Sequence, residues 1–209
     1  IWKMKHKFNF YKTLKEKIRK KKLMDEITLL IEEDSKVKDD IAAQKLENIH
    51  KGLIKELAHD KMLGYDLYGK ILWADKISWD TFGMSETEDS YKFFLWDATG
   101  HGIRAGFIVT LLSRLFNQFA KKSSIGPLAY EINNGLKQDL KSRNFITAVF
   151  FEIYKAKVDT VRYVGMWHEA MLLFRAKSKT VEKIIPWGLA GWIRMMKDFT
   201  DVKVKEFTM

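Results

Sequence analysis

Apolar positions recur along the chain with two different periods, and the change of period marks its organisation. In residues 12–33, Leu14, Ile18, Met24, Ile27, Leu30 and Ile31 fall three to four apart with charges between them. In residues 37–58, Ile41, Leu46, Ile49, Leu53, Ile54 and Leu57 repeat the pattern, so both segments are predicted helices. The first stripe is narrow, which points to a seam between helices, a coiled-coil stalk or dimer connector. From Tyr65 the runs shorten and alternate: 65–75, 77–84 and 91–97 read as strands, with a turn or loop around Gly83 to Ser90. Helical spacing returns from Gly102 to Lys122 (Ile103, Phe107, Leu111, Leu115, Phe119) and from Gly126 to Leu140, the latter with Pro127 in its first turn. Strands follow at 146–154, 160–165, 170–175 and 180–185, the first two joined by a tight turn from Lys155 to Asp159. Strands, two helices, strands: the order is that of an α+β fold with antiparallel sheet, not of alternating βαβ units.

Composition narrows the function classes. Of 209 residues, 46% are apolar and 13% aromatic, enough for a core. The formal charge of +10 is concentrated: residues 1–22 hold ten Lys and Arg against the single acid Glu16, and the remainder is close to balance. The basic excess is therefore an arm, and a nucleic-acid partner is not expected. The absence of cysteine excludes disulfides, thiol catalysis and thiolate metal sites. No stretch approaches 18 uninterrupted apolar residues and no signal-peptide pattern precedes the arm, so a cytoplasmic protein is expected. The chain begins at Ile1 and stops at Met209 amid alternating residues, which suggests a piece of a longer protein.

Two aspartates carry the candidate chemistry. Asp80 lies in the strand-like run 76–82, and Asp97 closes the apolar run Phe93-Phe94-Leu95-Trp96-Asp97 ahead of Ala98-Thr99-Gly100-His101-Gly102. A carboxylate ending a buried strand is costly unless paired or metal-bound, and two on neighbouring strands repel unless a cation lies between. Oxygen donors suit Mg²⁺ or Mn²⁺. From spacing alone a second reading stands beside this one, in which Asp97 caps a helix and Asp80 is a solvated strand residue.

Three segments resemble, in order, the SpoIIE/RsbU-like branch of the PPM (PP2C-type) metal-dependent protein phosphatases. Residues 71–82 look like the family's strand ending in Gly-Gly-Asp-Tyr-Tyr. Residues 95–106, Leu-Trp-Asp-Ala-Thr-Gly-His-Gly-Ile-Arg-Ala-Gly, look like its Gly-Asp-x-x-Gly-His-Gly-x-x-Ala signature. Residues 144–173, with Asn144, Phe145, Thr147 and Ala148 followed by Val164-Gly165-Met166-Trp167-His168-Glu169, look like its Phe-x-Thr strand and Ala-Gly-His-x-Pro turn. The approach from Ala43-Gln44 to Leu53-Ile54 resembles the family's entry helix, and the likeness spans about residues 40–195.

The resemblance implies the PPM-type α-β-β-α sandwich of two antiparallel sheets flanked by helices, residues 61–209, behind a basic helical linker, residues 1–60. It implies a hydrolase in which two ions, Mn²⁺ or Mg²⁺, held by aspartates and a backbone carbonyl, activate water toward phosphoserine or phosphothreonine. The matching positions are Asp80, Asp97 and the carbonyl of Ala98. The implied partner is a phosphorylated STAS-domain protein, with switching through the N-terminal helix, homodimerisation through it, and a membrane-tethered upstream sensor; Arg19-Lys20-Lys21-Lys22 reads equally as a juxtamembrane stretch or as a solvated cluster. A catalytically inactive scaffold that binds a phosphoprotein is the alternative.

Departures accompany the likeness. The family's later Ser/Thr-Asp-Gly segment is missing, since only Asp198, Asp201 and Glu206 follow Met196, and Gly83 stands where a second aspartate belongs. His101 could touch phosphate or simply pack in its turn; His168 reads as structural, and His6, His50 and His59 as solvated. Trp79, Trp96 and Trp167 occupy positions where the family has glycine, and Trp192 stands in a glycine-rich turn. Indoles there are expected to crowd the site. UGA codons read as glycine in the source organism, and as tryptophan in this translation, would account for them, and Trp2, Trp73 and Trp187 could share that origin; the alternative is a diverged, inactive domain whose tryptophans fill a collapsed site.

Overall fold

The computed structural model describes residues 36, 40–42, 44–45, 47–49, 52, 57–71, 79–100, 102–139, 145–191 and 193–209. By compactness the chain divides into Ile1–Gln44 and Lys45–Met209. The described residues from Lys36 to Gly52 are helical. The narrow seam of residues 12–33 lies outside the described residues.

The second predicted helix does not reach residue 58. Leu57 opens a strand, β1 (Leu57–Met62), which pairs antiparallel with β2 (Tyr65–Gly69). Leu63 and Gly64, with φ of 53° and 88°, form the two-residue turn between them; positive φ at both positions matches the strands' twist. Pairing with β2 therefore overrides the helical spacing at Leu57.

The main sheet has the order β3-β4-β5-β6-β9 and is antiparallel throughout: β3 (Asp80–Glu86), β4 (Ser90–Ala98), β5 (Ile146–Tyr154), β6 (Thr160–Met166) and β9 (Lys205–Thr208). A separate hairpin joins β7 (Met171–Arg175) and β8 (Thr180–Ile184). Helices α1 (Gly102–Phe119) and α2 (Ile125–Asp139) lie between β4 and β5 in sequence. The α+β class with antiparallel sheets is as expected.

Period two on the strands and period 3.6 on the helices build the core. Phe94, Trp96 and Ala98 of β4, Ala148 and Phe150 of β5, and Val164 and Met166 of β6 point to one face. There they meet Ile108, Val109, Leu112 and Phe116 of α1 and Ile125, Leu128, Ile132 and Leu136 of α2. The opposite face presents Phe82, Phe93, Leu95, Phe151 and Ile153. The β1–β2 hairpin approaches it, because a Cβ on Gly69 would lie 3.1 Å from the Phe82 ring. A groove of about 700 Å³ lies between them.

The turn expected at Gly83–Ser90 starts later. Gly83 lies inside β3 opposite Phe94, whose ring would stand 2.5 Å from any Cβ there. The glycine is needed for close approach and not for a bend. The chain turns at Thr87, whose N–H donates to the Ser90 carbonyl at 2.8 Å.

At this end of the sheet the helix-facing side holds buried charge. Lys92 and Glu152 are cross-strand partners, with Nζ 3.4 Å from Oε1, and Arg162 donates to Glu152 Oε2 at 2.8 Å. Glu152 also accepts from the Ile125 N–H at 3.4 Å, placing a carboxylate at the start of α2, where the helix dipole favours it. The C-terminal acids have structural work. Asp198 accepts from Thr200 N–H at 2.7 Å, Asp201 from Lys197 N–H at 2.9 Å, and Glu206 lies 3.6 Å from Arg162 Nε.

Candidate functional site

The other end of the sheet collects the predicted residues. Asp80 opens β3 and Asp97 is the penultimate residue of β4, and the register sets them directly opposite each other. Trp96 and Ala98 are helix-facing, so by strand alternation Asp97, and Asp80 with it, face the opposite way. The Asp97 carboxyl is pushed up to about 6, first by burial, then by the charge of Asp80 and a hydrogen bond with it, and then by the charge of Glu169. Ala98 N–H donates to the Trp79 carbonyl at 3.2 Å. In an extended strand the carbonyl leaves on the same edge as the N–H of its residue, so that of Ala98 emerges toward the chain entering β3.

β5 contributes the next position in this row. Thr147 stands opposite Asp97, and its Oγ1 forms a 2.9 Å hydrogen bond with His168 Nδ1. His168 arrives from the end of β6 through Trp167, which bridges Ala148 in parallel sense and has a φ of 54°. Burial lowers the pKa of His168 despite the opposing charges of Glu169 and Asp80. Gly165, three residues before His168, admits no side chain, because a Cβ would lie 2.1 Å from the Pro186 carbonyl oxygen. The turn after Asp97 is tied down as well: Thr99 N–H and Oγ1 both donate to the Phe145 carbonyl, at 3.2 and 2.8 Å. Gly100, with a φ of 96°, then takes the left-handed conformation that leads toward α1.

The structure thus brings Asp80, Asp97 and the Ala98 backbone together. It adds Thr147 and His168, a pair that the spacing in the sequence gave no reason to couple. His101 and Trp192 lie outside the described residues. The crowding expected of Trp96 does not arise, since its indole is fully buried in the helix-side core, 3.7 Å from the Phe94 ring and turned away from the aspartates. Its Nε1 has no hydrogen-bond partner among the described residues. Trp79 packs at the edge of the same core, and Trp167 is exposed, stacked on Phe145 at 6.1 Å.

Facing carboxyls, one retaining a proton to about pH 6, are hard oxygen donors whose repulsion a divalent cation would relieve. The donor chemistry fits Mg²⁺ or Mn²⁺. Among the described residues no group of three or more His, Asp or Glu is arranged to hold a metal. Among the described residues, too, no helix is long and apolar enough to cross a membrane.

Comparison with solved structures shows the fold. The PP2C phosphatase domain with a regulatory fragment of SpoIIE from Bacillus subtilis is 18% identical, with a TM-score of 0.53 over 75% of this chain and 50% of that one. RsbX in complex with magnesium is 14% identical, with a TM-score of 0.50 over 74% of this chain and 65% of that one. The SiaA-PP2C domain of Pseudomonas aeruginosa is 12% identical, with a TM-score of 0.59 over 84% and 69%. The chain therefore spans half the length of the SpoIIE fragment. No curated protein matches it. The family described as Stage II sporulation protein E (SpoIIE) matches residues 87–209, more than half of the sequence and both strands that frame Thr147, and the chain belongs to that family.

Proposed function

We propose that the chain carries a metal-dependent protein serine/threonine phosphatase domain. The observation that supports this most directly is the opposition of Asp80 and Asp97 at one end of a sheet in a PP2C-type fold. Asp80, Asp97 and the Ala98 carbonyl would hold Mn²⁺ or Mg²⁺. Such an ion supplies charge stabilisation to a phosphoryl group and lowers the pKa of water. The chain's own part is positional: the β3–β4 register aligns the two carboxyls, and the bonds of Thr99 to Phe145 hold the end of β4 against β5.

In this reading residues 1–60 are a linker, helical ahead of β1, that dimerises and transmits a signal from an upstream, membrane-tethered sensor. Residues 61–209 are the phosphatase domain, and the substrate is a phosphorylated STAS-domain protein in the cytoplasm. The test is hydrolysis of p-nitrophenyl phosphate and of a phosphoserine peptide with Mn²⁺, with Mg²⁺ and in EDTA. Activity only with a metal supports the reading, and equal activity in EDTA refutes it.

The absence of a third acidic ligand among the described residues favours a second reading, an inactive scaffold that binds a phosphoprotein. Phosphopeptide binding that needs no divalent cation and leads to no hydrolysis would identify it.

A further inference from the structure

Asp80, Asp97 and Glu169 make the aspartate end of the sheet acidic, and carboxylates repel a phosphate dianion. An anionic substrate placed there needs hydrogen-bond donors from the protein. The Thr99 hydroxyl is committed to the Phe145 carbonyl. The imidazole of His168 is not fully used: Nδ1 is engaged by Thr147 Oγ1 at 2.9 Å, and Nε2 has no hydrogen-bond partner among the described residues. Three features deliver the ring to this place. Thr147 is the cross-strand neighbour of Asp97, Trp167 bridges Ala148, and the φ of 54° at Trp167 turns the chain just before the histidine. A neutral imidazole carries one ring proton, and whichever nitrogen accepts a hydrogen bond leaves that proton on the other.

We propose that His168 contacts the substrate, its Nε2–H donating to a phosphoryl oxygen, and that Thr147 is the positioning residue whose hydroxyl donates to Nδ1 and so fixes the tautomer and direction of the ring. This rests on the phosphatase reading and adds to it a residue that the metal ligands do not supply. A donor to an ionised acceptor is stronger than a neutral pair, and its loss is expected to weaken phosphate binding by about tenfold or more. Thr147→Val keeps the shape of the side chain and removes the hydroxyl, whereas Thr147→Ser keeps the hydroxyl and removes a methyl group.

The experiment uses the full chain with ¹⁵N-labelled histidine, Mg²⁺ as the metal and inorganic phosphate as the probe. In the wild type, the His168 resonances should report a proton on Nε2, and phosphate should shift that nitrogen. His168→Ala and Thr147→Val should each raise the Kd for phosphate about tenfold or more, Thr147→Ser should restore it, and Mg²⁺ affinity by calorimetry should stay the same in all three. A wild-type ring protonated on Nδ1, or a His168→Ala variant that binds phosphate as tightly as the wild type, overturns the proposal. The tautomer measurement needs no variant, so it decides even where a substitution disturbs folding. A wild type that hydrolyses no phosphoester yet shows the phosphate shift at Nε2 refutes the phosphatase reading and upholds the contact. A hydrolytically active chain whose phosphate affinity ignores His168 does the reverse.

Discussion

Asp80 and Asp97 are direct cross-strand partners, β3 to β4, so two carboxyls occupy neighbouring places on one face at one end of the sheet. Like charges directly opposite each other weaken a strand pair. Their pairing is a local cost that binding of a cation would offset, and its consequences can be measured.

Asp97→Asn removes one carboxylate from the pair. Loss of a metal ligand's charge is expected to lower Mn²⁺ affinity and phosphoester hydrolysis by at least about 10–100-fold. Calorimetric titration with Mn²⁺ and initial rates with p-nitrophenyl phosphate check both, and a variant with wild-type metal affinity would remove Asp97 from the site.

The metal-free protein should carry a pH signature of this pair. The Asp97 carboxyl stands at about 6 when folded against an ordinary value of 3.8, so the folded chain holds its proton more tightly than the unfolded one. The resulting stability is fully present below 3.8 and is lost as pH rises through about 6. In EDTA, the difference in urea midpoint between wild type and Asp97→Asn should therefore move against the wild type over that interval. A difference that is flat with pH would contradict the raised value.

Glu152 holds Lys92 and Arg162 at the far end of the sheet, with 1% of its side chain exposed. Glu152→Ala leaves the buried Lys92 without a carboxylate, Arg162 with only the exposed Glu206, and the first amide of α2 without its acceptor, and should cost about 3–5 kcal/mol. Urea unfolding measures it, and a loss below about 1 kcal/mol would mean that water replaces the carboxylate.

Two glycines should respond in opposite directions. Gly165→Ala forces a Cβ against the Pro186 backbone and is expected to destabilise by about 1–3 kcal/mol. Gly135, inside α2 with nothing within 4 Å of a built Cβ, should gain about 0.4–1 kcal/mol as alanine. Thermal melts of the two variants, read against the wild type, test the contrast.

The tryptophan positions yield a prediction at the level of the gene: UGA codons at 79, 96 and 167, and glycine in the corresponding peptides of the native protein. Trp167 supports it most directly, because its φ of 54° is a conformation glycine adopts freely and an indole does not. Trp96 bears on it differently, for its ring fills the core while its Nε1 stays unpaired among the described residues. UGG codons at these positions would end the recoding account.

The periodicities of the sequence were enough to locate α1, α2 and most strands, because apolar alternation and three-to-four spacing are local consequences of burying one face. They also marked Asp97, since a carboxylate closing Phe93-Phe94-Leu95-Trp96 has no apolar reason to be there. The end of the helix before Leu57 was not legible, because an apolar residue at the right spacing serves a strand as well once β2 pairs with it. Nor was Gly83, whose place in β3 depends on the ring of a residue in the neighbouring strand. The coupling of Thr147 to His168, 21 residues apart, and the facing of Asp80 with Asp97 were decided only by the register of β3, β4 and β5 and by the turn at Trp167. Register is a property of paired strands, and a slip of one residue would send Asp97 into the core and Trp96 to the aspartate face.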